Sequence, residues 1–102
     1  MKKILLYFYG GCDIDLVSVP DYIADNLSKY QRRFDKWLSN RNNNHGYWMK
    51  DNEGYWGLSF NGEAFVDWLN EEIIEDVDSK ATFLSRDYRP SKKDKILPRI
   101  NL

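Results

Sequence analysis

Residues 46–74 read GYWMKDNEGYWGLSFNGEAFVDWLNEEII, and this run decides the fold. Gly46 to Lys50 and Tyr55 to Phe60 are predicted to be two short strands. Asp51-Asn52-Glu53-Gly54 supplies the turn between them, with Gly54 suited to a left-handed position. In the second strand Trp56, Leu58 and Phe60 alternate with Tyr55, Gly57 and Ser59, the period-two pattern of a half-buried strand. Asn61 is a good helix cap. From Gly62 to about Ile74, or on to Val77, the apolar residues Phe65, Val66, Leu69 and Ile73 fall on one side of a helix, and Asp67, Glu71 and Glu75 on the other.

Working outward, Lys3 to Tyr9 (KILLYFY) is a predicted strand stopped by Gly10-Gly11. Both of its faces are apolar, as expected for a central strand. Gly10 to Val17 is expected to be a loop, and Ser18 to cap a helix running from about Val19 to Ser39. In that helix Ile23, Leu27, Tyr30, Phe34, Trp37 and Leu38 make the inward face, and NRNNNHG ends it. Ala81 to Ser85 is a further predicted strand. Beyond it the chain turns basic, and Pro98 bars residues 96–102 from a central strand. The predicted order is β-α-β-β-α-β. The expected fold is therefore α+β: a two-layer, ferredoxin-like domain with an antiparallel four-stranded sheet and two helices on one face. Residues 1–102 form one domain, with residues 86–102 as a basic C-terminal extension.

Composition narrows the function. The net charge of −1 conceals three blocks: +3 over residues 1–50, −9 over residues 51–79 and +5 over residues 80–102. Where the charge sits governs the field more than its total. A near-neutral total argues against direct nucleic-acid binding, which needs Lys and Arg set against phosphates. The single Cys12 rules out an internal disulfide and fits a reducing, cytoplasmic setting. The apolar stretch after Met1-Lys2-Lys3 is too short for a signal sequence or a membrane span.

No stretch carries a catalytic or cofactor signature, and neither a G-x-G-x-x-G nor a P-loop occurs. Asp13-Ile14-Asp15 has the form of a D-x-D that could hold Mg²⁺, but two acids flank an apolar residue in many loops, and a solvated loop is the expectation. His45, the only histidine, stands in an Asn-rich loop with no partner motif and reads as a surface residue. Cys12 reads as a half-buried structural thiol. Neither a metal nor a cofactor is expected, and the protein is not expected to be an enzyme.

Tyr7, Tyr9, Tyr47 and Tyr55 could share the sheet face opposite the helices. There they would stack bases as RNA-recognition domains do. The strand Tyr55 to Phe60 has no Lys or Arg beside its aromatics, which weighs against that alternative.

The acidic block is the most informative feature. Nine carboxylates and no Lys or Arg lie between Asp51 and Ser79. Like charges at helical spacing repel, so helix formation does not call for them. A solvated face is one explanation. The other is a surface that imitates the charge of nucleic acid and docks into the basic cleft of a nuclease. The candidate partner-binding residues are Glu63, Asp67, Glu71, Glu72, Glu75 and Asp76, with Trp48 and Tyr55 as aromatic anchors.

KKILLYFYGGCDIDLVSVPDYI near the start, FDKWL, LSFNGEAFVDWLNEEIIEDV and a plain C-terminus together resemble a known group. It comprises the small cytoplasmic immunity proteins of bacterial contact-dependent growth inhibition and related polymorphic toxin systems. The resemblance covers most of the chain. It implies a protein without enzymatic activity that blocks a cognate toxin, often a nuclease, by tight binding. Those families share no catalytic signature, so it assigns no site residues.

Overall fold

The structure is a computed structural model that describes residues 1–43 and 45–102. The chain is α+β. Four strands form the main sheet in the order β5-β2-β1-β6, and β3 and β4 form a separate two-stranded sheet.

β1 (Lys2–Phe8) turns at Tyr9–Gly11 and returns as β2 (Asp13–Val19), antiparallel, with Lys2 opposite Val19 and Phe8 opposite Asp13. The turn takes positive φ at Gly10 and Gly11, which glycine allows without strain, and also at Tyr9. β2 is the principal departure from the sequence expectation, which placed a loop and a helix start here. Its pattern is a true alternation. Asp13, Asp15, Val17 and Val19 share a face with Ile4 and Leu6, and Ile14, Leu16 and Ser18 take the other face. Two acids on the inward positions disguised it. Ser18 is consequently a strand residue, not a cap.

The expected long helix is two helices. α1 (Asp21–Ala24) follows Pro20, and α2 (Leu27–Ser39) carries the rest. The break lies at Asp25-Asn26, where the Asn26 side-chain amide donates to the Tyr22 carbonyl at 2.8 Å and competes with helical pairing. β3 (Trp48–Lys50) and β4 (Trp56–Leu58) make the predicted hairpin, with Trp48 opposite Leu58. Asp51 organises its turn by accepting from the Glu53 and Tyr55 amides at 2.9 and 2.8 Å. α3 (Gly62–Trp68) starts at Asn61, whose side chain accepts from the Glu63 amide, and ends in a π-turn, Leu69–Ile73. β5 (Thr82–Ser85) and β6 (Arg99–Asn101) complete the main sheet.

The ferredoxin-like order β-α-β-β-α-β does not hold. The hairpin β3-β4 lies outside the main sheet, and β2 takes a place inside it. The sheet is mixed and not wholly antiparallel, since β6 runs parallel to β1. As β5 and β6 occupy opposite edges, residues 86–98 must cross the sheet. Tyr88 N–H bonds to the Ile14 carbonyl and Leu5 N–H to that of Pro98, at 2.7 and 2.9 Å, which fixes both ends of the crossing. The segment covers Leu5 and Leu16 on the face away from the main core. A short helical turn, Lys92–Ile96, lies within it, held by a capping box in which Asp94 accepts from Ser91. The basic residues 86–102 are thus built into the sheet.

The core lies between the sheet and the helices. Ile4, Leu6, Val17, Val19 and Ile100 meet Ile23, Phe34, Leu38, Phe65 and Leu69. Phe34 is fully buried, and its ring lies 5.2 to 6.3 Å from those of Phe65, Trp68, Phe60 and Trp37. It joins α2 to α3 and to the base of the hairpin. Phe34→Ala should therefore cost about 3–5 kcal/mol in urea unfolding. A cost below about 1 kcal/mol, on the surface-substitution scale, would show that the ring is not the centre of the core.

Candidate functional site

α3 and its π-turn present the acidic face. Alternation at helical spacing buries Ala64, Phe65, Trp68 and Leu69 and leaves Glu63, Asp67, Glu71 and Glu72 exposed. The π-turn is tied down from outside. Lys80 Nζ donates to the Asn70 carbonyl at 2.6 Å and to the Ile74 carbonyl, capping the last turn with positive charge. The Asn70 side chain exchanges two hydrogen bonds with the Ala81 backbone, at 2.7 and 3.0 Å, and so locks the turn to the start of β5.

Among the described residues, three ion pairs occur: Met1 amine to Asp21, Lys2 to Asp25, and Arg86 to Glu63 at 2.6 Å. Of the acidic candidates only Glu63 is paired. Lys80, the nearest lysine in sequence, is engaged by backbone carbonyls. Asp76 serves its own turn, where it accepts from Asp78 N–H and Ser79 Oγ, both at 3.0 Å, and these bonds hold its carboxyl below the ordinary value.

The acids divide into two groups. Tyr47 lines one cleft with Asp67 and Glu71. Its pKa is raised first by burial and then by the charges of Asp67, Glu71 and Glu63. Glu75 and Asp76 lie toward Tyr22, whose pKa is raised by burial first, then by Tyr30 and these two acids.

The two proposed aromatic anchors differ. Trp48 is half-buried, with the Arg41 guanidinium 5.1 Å from its ring centre, and its indole nitrogen is buried without a hydrogen-bond partner among the described residues. Tyr55 stands at the hairpin end, 70% exposed, beside the exposed Trp56 and Met49. Neither lines the cleft beside α3. That cleft, of about 350 Å³, is lined instead by Trp37, His45, Tyr47, Trp68, Asp67 and Glu71, among others. Sequence reasoning assigned Trp37 to the core and His45 to the open surface. His45 is half-buried: Nδ1 accepts from Tyr47 N–H at 3.2 Å, so Nε2 is the donor to the Leu38 carbonyl at 2.9 Å. No local signal could have brought these residues together, because the contact is tertiary.

The remaining sequence candidates separate. Tyr7 lies on β1, Tyr9 in the following turn, Tyr47 beside α3 and Tyr55 on the hairpin, so the four tyrosines share no sheet face. Cys12 is exposed rather than half-buried. Asp13 and Asp15 sit in a strand and not a solvated loop, and Asp15 is 4% exposed. Asp15 accepts from the Asp87 amide at 3.3 Å and faces the amide of Gly62, at the first turn of α3. Both oxygens face backbone donors, and no group of three or more metal-ligating side chains forms among the described residues. Asp15 thus joins β2, α3 and the Asp87 turn. A methyl group at Gly62 would overlap the Asp15 carboxylate and press on Phe83, so glycine is needed there for space.

No family model matches the chain, and no curated protein or solved structure matches it.

Two outcomes follow from Asp15 and Gly62. Gly62→Ala should destabilise by about 1–3 kcal/mol through overpacking, read by urea unfolding. Burial holds the Asp15 carboxyl above its ordinary value of 3.8, against the opposing pull of the two amides. A raised folded pKa means that protonated Asp15 favours the fold. That stabilisation is complete below the ordinary pKa and is lost as pH rises through the raised one. Subtracting Asp15→Asn stability from wild type, point by point from about pH 3 to about pH 7, should give a difference that falls with pH. A flat difference would show that Asp15 does not titrate against folding.

Proposed function

We propose that this is an immunity or inhibitor protein, without catalytic activity, which blocks a cognate protein toxin of nuclease type by laying its acidic face over the toxin's basic cleft. One observation carries the reading: Asp67, Glu71, Glu72 and Glu75 stand exposed on α3 and beyond it, with no cation of the described chain within ion-pair distance. A solvated face could be neutralised readily by the seven basic residues of the C-terminal block. Six of them lie in the crossover and β6, where only Arg86 pairs with an acid of the cluster, Glu63, and the seventh, Lys80, is engaged by the Asn70 and Ile74 carbonyls.

An unpaired negative surface beside half-buried aromatics suits a partner of opposite charge. Attraction speeds encounter, and desolvated aromatic contacts slow departure. Exposed Trp56, Tyr55 and Met49 on the hairpin offer a second, apolar contact.

The triple reversal Glu71→Lys, Glu72→Lys, Glu75→Lys should lower the association rate with the toxin about tenfold or more at low salt and reduce its salt dependence. Stopped-flow mixing across a salt series reads both. An unchanged rate and salt slope would exclude the acidic face from the interface.

A further inference from the structure

Trp37, His45 and Tyr47 make one continuous aromatic wall. The His45 ring centre lies 4.8 Å from that of Trp37 and 5.3 Å from that of Tyr47. Buried Trp68 lies beneath, and Asp67 and Glu71 stand one helical turn apart on the facing element. The space they enclose, about 350 Å³, lies at the small end of ligand pockets and suits one long side chain.

The charge along the groove is not uniform. Past Trp68 and Glu72, which border both, it adjoins a second groove lined by Arg33 and Lys36 of α2. Their positive charge works against a cation at that end and confines a cationic site to the end holding Asp67, Glu71 and Tyr47.

We infer that this end of the cleft is a guanidinium site, which takes one arginine side chain of the protein partner. The inference rests on the reading above, that this face meets a basic protein. A planar guanidinium can lie against an aromatic wall and donate in-plane to two carboxylates at once. An ammonium is compact and strongly hydrated and does not use the flat wall in the same way. Aromatic rings alone would accept any apolar group, and carboxylates alone any cation. Their juxtaposition, with no cation of the described chain paired to either acid, selects a group that is both flat and charged.

The site can be tested without the toxin. L-argininamide, L-lysinamide and L-citrullinamide are titrated into the full chain, following the Trp37 indole and Tyr47 ring by NMR. Citrullinamide has the same shape as argininamide without the side-chain charge. Argininamide should give saturable shifts and bind at least about tenfold more tightly than citrullinamide, with lysinamide weaker than argininamide. Asp67→Asn with Glu71→Gln should abolish the preference for argininamide. The same titration of wild type at high salt, where exposed charges are screened, should shrink it and requires no variant to fold.

Equal binding of argininamide and citrullinamide would overturn the site, as would lysinamide matching argininamide or a preference that survives the double substitution. Failure here is separable from failure of the inhibitor reading. Toxin binding that responds to the triple reversal would stand even if argininamide does not bind. Argininamide binding in a chain whose toxin association ignores the reversal would keep the site and remove its assigned occupant.

Discussion

The ring of Phe34 is the contact on which the arrangement depends. One fully buried side chain on α2 meets the aromatic residues of two other segments, Phe60 at the hairpin base and Phe65 and Trp68 on α3, and, one turn along its own helix, Trp37. Phe60 in turn meets Phe8 of β1 edge-on, at 6.0 Å. Edge-to-face pairs add about 0.5–1.5 kcal/mol each beyond their buried area, and they fix angle as well as distance. The hairpin forms no ladder with the main sheet, so these rings hold it where backbone pairing would otherwise do so. The wall of the α3 cleft begins at Trp37, stacked beside Phe34, and so the position of the proposed site is set by the core.

The second constraint is polar. Asp15 points to the same side as Val17 and Val19, where an apolar residue would be the ordinary choice. Burying a carboxylate is costly unless donors surround it. The amides of Gly62 and Asp87 fulfil that role, at the start of α3 and just past β5. A polar contact of this type is directional where apolar packing is not, and it sets the register of β2 against the helix entry. The requirement for glycine at position 62 follows from the same close approach.

These two constraints also explain what could be read from the chain alone. β1, the hairpin, α3 and β5 were legible, because each has a local signature: an apolar run, a period of two or a cap; β6 was not, since Pro98 marked only where a central strand could not be. Nor was β2, because Asp13 and Asp15 looked like loop residues, and the backbone donors that let Asp15 be buried come only from tertiary contact. The Asn26 break was hidden too, since the apolar spacing continues across it. The sheet order depends on β1 meeting β6, a pairing that no local pattern announces. On the acidic face, Asp67 and Glu71 followed from helical spacing. The aromatic wall did not, because Trp37, His45 and Tyr47 reach α3 only through tertiary packing. Tyr55 stood out as a conspicuous aromatic and lies away from the cleft, whereas the inconspicuous His45 lies in its wall.

β1 is flanked on one side by its immediate successor and on the other by β6. The second neighbour comes from the far end of the described chain, where residues 99–101 pair in parallel with residues 5–7. Closing so long a loop adds little entropic cost over a shorter one, because that cost grows only with the logarithm of length. It does burden the search, since non-local parallel pairing is slow to find. During synthesis the β1-β2 hairpin and the helices can therefore collapse early. The open edge of β1, and the underside that the crossover shields, stay exposed until residues 86–101 have left the ribosome.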